Sequence, residues 1–311
     1  MDFATALTQP TAILTEGAVL ERLRRDGPLP LDPVLLHAAF VLDPVGRQAL
    51  AALHGQYLAI GLRHRLPFIS LTTTWRANPD RLRQAGHRGA ELNQASVRLL
   101  RQLHADCGTS GPPLYVGGLL GCRGDAYQPR AALSVADAAA FHQWQSTVLA
   151  EAGVDFLFGA TLPAVSEAEG MARAFARTGT PYVISFILQR SGDLLDGTPL
   201  GEAMAQIDAG THPRPLGYMV NCCYPTFLAP AWRRLAPAAR ERFLGLQANG
   251  SSRSAEELDG SPTLCAETPE VFAADLLQLR TETGLRVLGG CCGTDHRHIE
   301  CLAAQLAGPQ S

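Results

Sequence analysis

The stretch VDFLFGATLPAVSEAEGMARAFARTG, residues 154–179, reads as one structural unit. Its first part, 154–160, is an apolar run of strand length, and SEAE at 166–169 opens an alanine-rich segment with helical spacing that stops at Thr178 and Gly179. A second apolar run, 182–188, follows at once, so the chain returns to a strand after a helix, as parallel sheets require. The same alternation continues in both directions. Toward the amino end, runs at 11–17, 68–74 and 114–121 lead into helical segments: the first includes 44–62, the second is a long one beginning at Asn78-Pro79-Asp80, and the third begins at Ser134-Val135-Ala136-Asp137. Toward the carboxyl end, 182–188 precedes a short helix near 200–207, 217–222 precedes a helix through Trp232, 243–247 precedes a helix over 269–280, and 285–288 precedes one over 296–306. Eight strand-then-helix units in 311 residues match a (β/α)8 TIM barrel, expected as a single domain over 1–311. An open doubly wound sheet is the rival, but the first turn, EGAVL at 16–20, lacks its glycine-rich dinucleotide fingerprint.

Composition narrows the chemistry. All 26 basic residues are arginine, and with no lysine the chain cannot form a Schiff base or build a Walker-type phosphate loop. The net charge of −3 gives no basic excess for nucleic acid. No apolar stretch approaches the roughly 20 residues that cross a bilayer, and the start MDFAT lacks a basic region followed by an apolar run. The expectation is a cytoplasmic protein with no membrane or nucleic-acid partner, whose eight cysteines stay reduced.

In such a barrel the carboxyl ends of the strands carry the chemistry. Five cysteines fall there: Cys122, Cys222, Cys223, Cys291 and Cys292, while Cys107 and Cys301 lie on helical stretches and Cys265 in the polar break 249–268, read as an active-face loop. Cys222 with Cys291 and Cys292 offers three thiolates and an open fourth position, a set that suits zinc (Zn2+). Adjacent residues of a regular strand face opposite ways, so Cys291 and Cys292 can share a metal only where the backbone leaves strand geometry, a freedom expected from Gly289, Gly290 and Gly293. Spacing alone leaves other readings open: buried packing, a vicinal redox switch, or pairing of Cys222 with Cys292 under oxidising conditions. His298 would belong to a helix starting at Thr294-Asp295 and serve orientation or packing rather than ligation.

The run VLGGCCGT at 287–294 with His298-Ile299, together with Val220-Asn221-Cys222 upstream, resembles the homocysteine S-methyltransferase family. The likeness extends through 72–75, 153–155, 184–186 and Asp196-Gly197. It implies a (β/α)8 barrel with zinc on Cys222, Cys291 and Cys292 that moves a methyl group from an onium donor to a small-molecule thiol acceptor, homocysteine giving methionine being the family default. The expected substrate-binding residues are Glu16, Gly17, Thr72, Thr73, Trp75 and Asn221, with Trp75 able to face an onium centre by cation–π attraction.

Two positions depart from the family. Where it carries Asp before Gly and Glu before Thr, carboxylates that hold the ammonium of homocysteine, this chain has Glu16 before Gly17 and Ala160 before Thr161. A changed thiol acceptor is therefore an alternative to homocysteine. The chain stops soon after the eighth helix, and S-methylmethionine or S-adenosylmethionine is the expected donor by likeness to short family members. A redox or thiol-sensing protein and an inactive binding barrel are the competing readings from other classes; a metal-assisted hydrolase fits poorly, because the strand ends offer only Glu16 as a base.

Overall fold

Each of the apolar runs becomes a strand, and in the computed structural model, which describes residues 1–253 and 266–308, these strands close into a parallel barrel in sequence order. They are β1 Ile13–Thr15, β2 Phe68–Leu71, β3 Leu114–Gly121, β4 Phe156–Leu162, β5 Tyr182–Phe186, β6 Gly217–Cys223, β7 Phe243–Ala248 and β8 Val287–Gly290. The seam is made by β1, which pairs with β2 on one side (Leu14 opposite Phe68) and with β8 on the other (Leu14 opposite Leu288).

The helices are α1 Phe3–Ala6, α2 Leu20–Asp26, α3 Pro44–Arg63, α4 Pro79–Gln84, α5 Glu91–Asp106, α6 Val135–Glu151, α7 Val165–Ala176, α8 Leu200–Gly210, α9 Pro225–Arg234, α10 Pro237–Glu241, α11 Pro269–Thr283 and α12 His296–Ala307. Several starts follow from a side-chain cap. Asp43, Asn78, Ser134 and Thr268 each accept a hydrogen bond from the backbone N–H three residues on, which satisfies a donor the helix itself leaves free. The helix expected from Asn78 is not continuous. It ends after α4 because Gly86 and Gly89 adopt φ of 79° and 77°, left-handed backbone that a helix cannot contain, and α5 begins anew. No helix among the described residues is long and apolar enough to cross a membrane.

Alternation along the strands separates two apolar layers. Leu14, Phe68, Val116, Leu157, Ile184, Tyr218 and Leu288 face the helices, whereas Ile13, Ile69, Leu71, Tyr115, Phe156, Phe158, Val183, Met219 and Val287 fill the barrel. The interior cluster includes Phe3, Ala6 and Leu7 from the amino-terminal segment. Phe3 stacks on Phe156 with ring centroids 4.0 Å apart, so α1 forms a floor at the amino ends of the strands, and burying that ring contributes about 2–3 kcal/mol. The opposite end is the open one, and there the strand-end residues gather.

Candidate metal centre and its surroundings

Two β-bulges shape the rim. On β6 the register against β7 shifts between Asn221 and Cys223, leaving Cys222 as the extra residue with φ of 53°; on β4 the register against β5 shifts between Gly159 and Leu162, and Thr161 has φ of 59°. Left-handed backbone at a threonine and a cysteine costs roughly 1–3 kcal/mol each, and neighbouring bonds must hold it. Asn221 does so. Its Oδ1 accepts from Thr161 N–H (2.9 Å) and Ser185 Oγ–H (2.7 Å), and its Nδ2 donates to Thr161 Oγ1 (2.6 Å) and Cys222 Sγ (3.4 Å). One buried amide therefore ties both bulges together and contacts the sulfur that the β6 bulge presents.

Cys291 and Cys292 lie just past β8 in a tight turn, where Cys291 N–H donates to Ala248 O (2.6 Å), Gly250 N–H to Cys292 O (2.8 Å) and Thr294 Oγ1–H to Cys291 O (2.7 Å). The freedom expected of three glycines is used by one. Gly293 has φ of 80°, while Gly289 and Gly290 remain in the strand and are small for a different reason. A Cβ on Gly289 would sit 1.9 Å from Thr15 Oγ1, and one on Gly290 would sit 2.2 Å from Thr294 Oγ1.

The turn and the bulge bring Cys222, Cys291 and Cys292 together with all three Sγ atoms within 4.8 Å of one another. Cys222 and Cys291 approach to 2.7 Å. All three thiols are pushed well above their usual 9. For Cys291 the contact with Cys222 leads, ahead of burial; for Cys222 and Cys292 one sulfur neighbour favours the thiolate, but the other neighbour and burial outweigh it. Three crowded thiols, Cys222 buried and Cys291 and Cys292 half-buried, become thiolates only when a cation offsets their charge, and three soft donors with an open side fit zinc.

The other expected residues stand as follows. Gly17 allows a close approach, since a Cβ there would lie 2.9 Å from both Thr294 Oγ1 and Tyr57 Oη. Thr72 accepts from Leu119 N–H (2.8 Å) and bonds Thr74, while Thr73 bonds Ser96 of α5 through both N–H (2.9 Å) and Oγ1 (3.1 Å), so both hydroxyls are engaged in the barrel wall. Glu16 turns toward the helices: its Oε2 lies 3.0 Å from Nδ1 of the buried His54 on α3, and the structure does not bring this carboxylate to the sulfurs. Trp75 lies at the rim. A Cβ on the inward-facing Gly121 would be 2.2 Å from Trp75 Nε1, so the indole fills that space, and the Arg76 guanidinium sits over its ring at 4.1 Å. One face of the ring expected for an onium is thus already covered by the chain's own cation. Ala160 is buried and pairs with Gly121. His298 accepts from Asp295 N–H at Nδ1 (3.1 Å) and donates from Nε2 to Glu267 O (3.2 Å), which ties it to the start of α12 rather than to the sulfurs.

Reading strand ends alone misses residues that loops and helix starts deliver. Glu21, in the first turn of α2, accepts from Gly293 N–H at 2.6 Å and so holds the cysteine turn. Tyr127, in the loop between β3 and α6, is exposed, and negative charge on the cysteine sulfurs, Cys222 first, raises its phenol far above the usual 10. That loop is pinned by the fully buried Glu167 of α7, which accepts from Arg123 N–H (2.7 Å), Leu133 N–H (3.2 Å) and His142 Nε2–H (3.1 Å). An aromatic residue in an active-face loop was the available signal for Tyr127. Cys122 and Cys223 are buried in the helix-facing layer, Cys107 and Cys301 are half-buried, and Cys265 lies outside the described residues.

A (β/α)8 barrel with three convergent thiols on its rim places a candidate metal-binding set at the strand ends, where this fold carries its chemistry. Residues 13–306 match the family model for homocysteine S-methyltransferase, and the chain belongs to that family. It is 27% identical over 321 residues to the homocysteine S-methyltransferase of Escherichia coli, covering 96% of each chain. It is 25% identical to bovine betaine–homocysteine S-methyltransferase 1 over 97% of this chain and 74% of that one, and 27% identical to YbgG, a homocysteine S-methyltransferase of Bacillus subtilis, over 58% of this chain and 56% of that one. In three dimensions it resembles the metallated form of the Escherichia coli homocysteine methyltransferase MmuM, with a TM-score of 0.77 at 24% identity over 97% of this chain and 99% of that one.

Proposed function

We propose that this chain transfers a methyl group from an onium donor to a thiol at a zinc ion held by Cys222, Cys291 and Cys292, with homocysteine, the acceptor its relatives are named for, as acceptor and S-methylmethionine or S-adenosylmethionine as donor. The observation that carries the reading is the convergence of three sulfurs at the rim, without a histidine or carboxylate among them. Zinc in such a set acts as a Lewis acid that keeps a substrate thiol ionised at neutral pH.

What remains for the protein is placement. The β6 bulge presents Cys222, Asn221 orients that sulfur, and Glu21 fixes the turn that carries the other two. The acceptor sulfur attacks the methyl carbon in line, a new C–S bond forms, and the old bond's electron pair leaves with a neutral sulfide. No proton moves at the reacting carbon, so no general base is required, and alignment supplies much of the acceleration. The chemistry needs reduced thiols, the state a cytoplasmic compartment maintains.

The test is methionine formation by the zinc-loaded chain from homocysteine and each donor, with Cys292→Ser as control. The reading expects turnover and about one tightly held zinc per chain, both lost in the variant. Bound zinc without methyl transfer from any onium to any thiol would refute it. Reversible disulfide formation in place of metal binding would favour the redox-sensing alternative.

A further inference from the structure

The rim between β2 and β4 carries a cation whose role the methyl-transfer reading leaves open. Arg76 follows Trp75 and stacks on its ring at 4.1 Å, and the indole in turn occupies the inward side of Gly121, next to Ala160. Nη1 donates to Gly124 O at 2.5 Å, and Ala160 is followed by Thr161, whose Oγ1 lies 3.9 Å from Cys222 Sγ, so this part of the rim adjoins the sulfurs. A guanidinium has five N–H groups. The others on Arg76 have no acceptor among the described residues, and they stay accessible to solvent.

Among the described residues no carboxylate forms an ion pair with this half-buried charge. Asp125, the acidic side chain that acts on it, is engaged with Tyr127 N–H (3.0 Å) and Gln128 Nε2 (3.1 Å) and forms no ion pair with Arg76. Burial, with Arg81 second, pulls its proton affinity down. On this side of the rim the carboxylates are turned away or held: Glu16 lies against His54 and Glu167 accepts from its three donors, while Glu21, with one oxygen on Gly293 N–H, stands across the rim at the cysteine turn. The rim beside Gly121 and Ala160 is therefore electropositive, with open donors in a planar fork that matches a carboxylate.

We propose that Arg76 binds the carboxylate of the thiol acceptor, and that the acceptor needs no ammonium group, so that the substrate class of this site is the mercaptocarboxylates. The proposal rests on the methyl-transfer reading above and specifies its acceptor. The competing role for Arg76 is as a clamp on the loop through Gly124 O, which would affect every substrate alike.

Four thiols separate these roles: 4-mercaptobutyrate, homocysteine, 3-aminopropanethiol and propanethiol, which carry respectively a carboxylate, both charged groups, an ammonium, and neither. Their binding to the zinc-loaded chain is measured by calorimetry, which needs no methyl donor. The expected order places 4-mercaptobutyrate at or above homocysteine and 3-aminopropanethiol last. Arg76→Gln should weaken the two carboxylates about ten- to hundredfold more than propanethiol, the range for a lost charge-assisted pair, with Arg76→Lys recovering part of the loss. Equal losses for all four thiols, or 3-aminopropanethiol binding as tightly as 4-mercaptobutyrate, would overturn the proposal. If 4-mercaptobutyrate binds through Arg76 but no onium donor methylates it, homocysteine or the other two thiols, the methyl-transfer reading fails while carboxylate binding stands.

Discussion

Replacing Glu167 with glutamine tests the idea that a buried carboxylate, remote from the sulfurs, holds the loop that carries Tyr127. Its two oxygens accept from Arg123 N–H, Leu133 N–H and His142 Nε2–H, and the side chain is sealed from solvent. Glutamine keeps one acceptor oxygen and puts an NH2 where the other stood. Whichever way it sits, at least one buried donor faces another donor, at about 1–3 kcal/mol, and the surviving bonds lose their charge assistance. The expected destabilisation at pH 7 is about 2–4 kcal/mol by urea unfolding. The pH dependence follows from the sign of the shift. Burial works to raise the Glu167 carboxyl, but the bonds from His142, Arg123 and Leu133 outweigh it and hold it below the ordinary 4.5. A lowered folded value contributes stability that is full above 4.5 and fades as pH falls through the folded value, so the gap between wild type and Glu167→Gln should narrow in acid. A local readout accompanies the global one. Trypsin should cut faster at Arg123 and Arg130, which flank Tyr127 in that loop. A penalty below about 0.5 kcal/mol at pH 7, or a gap that widens as pH falls, would refute the reasoning.

Four further outcomes are expected. Asn221→Ala should weaken zinc binding about 10–100-fold in a competition titration, because the amide that braces both bulges also touches Cys222 Sγ; unchanged affinity would contradict that role. Zinc affinity should rise with pH between about 6 and about 8, with protons released into weak buffer, since thiols held above their usual 9 must lose protons to bind; a flat profile would contradict it. Gly121→Ala should displace the indole it contacts, costing about 1–3 kcal/mol and changing tryptophan fluorescence. Phe3→Ala should cost about 3–5 kcal/mol in urea unfolding, because the ring is buried against Phe156 and Tyr115.

Much of this molecule is legible in its residues. The strand-then-helix units are written in apolar runs and cap residues, and the VLGGCCGT run with Asn221-Cys222 singles out the three sulfurs that the fold brings together. What escapes depends on phase and on geometry between elements. Glu16 stands at a strand end, yet it is the next residue after the inward Thr15, and that single step turns it outward to His54. The bulges at Thr161 and Cys222 have no glycine to announce them; left-handed backbone there is enforced by contacts through Asn221, which only the assembled barrel supplies. Tyr127, Glu21 and Arg76 reach the rim from a loop, a helix start and a position past a strand end, and no local pattern states where such segments fold back to.

The floor made by Phe3, Ala6 and Leu7 also governs traffic. With the amino end stopped by a stacked ring and by Leu7 O bonded to Arg286, the described residues leave the rim at the carboxyl ends of the strands as the approach to the sulfurs. Both reactants must pass through it and both products must leave by it. Whichever molecule sits deeper has to arrive first and depart last, so on the proposed reaction the closed floor imposes an ordered sequence of binding and release, which product-inhibition patterns would display directly.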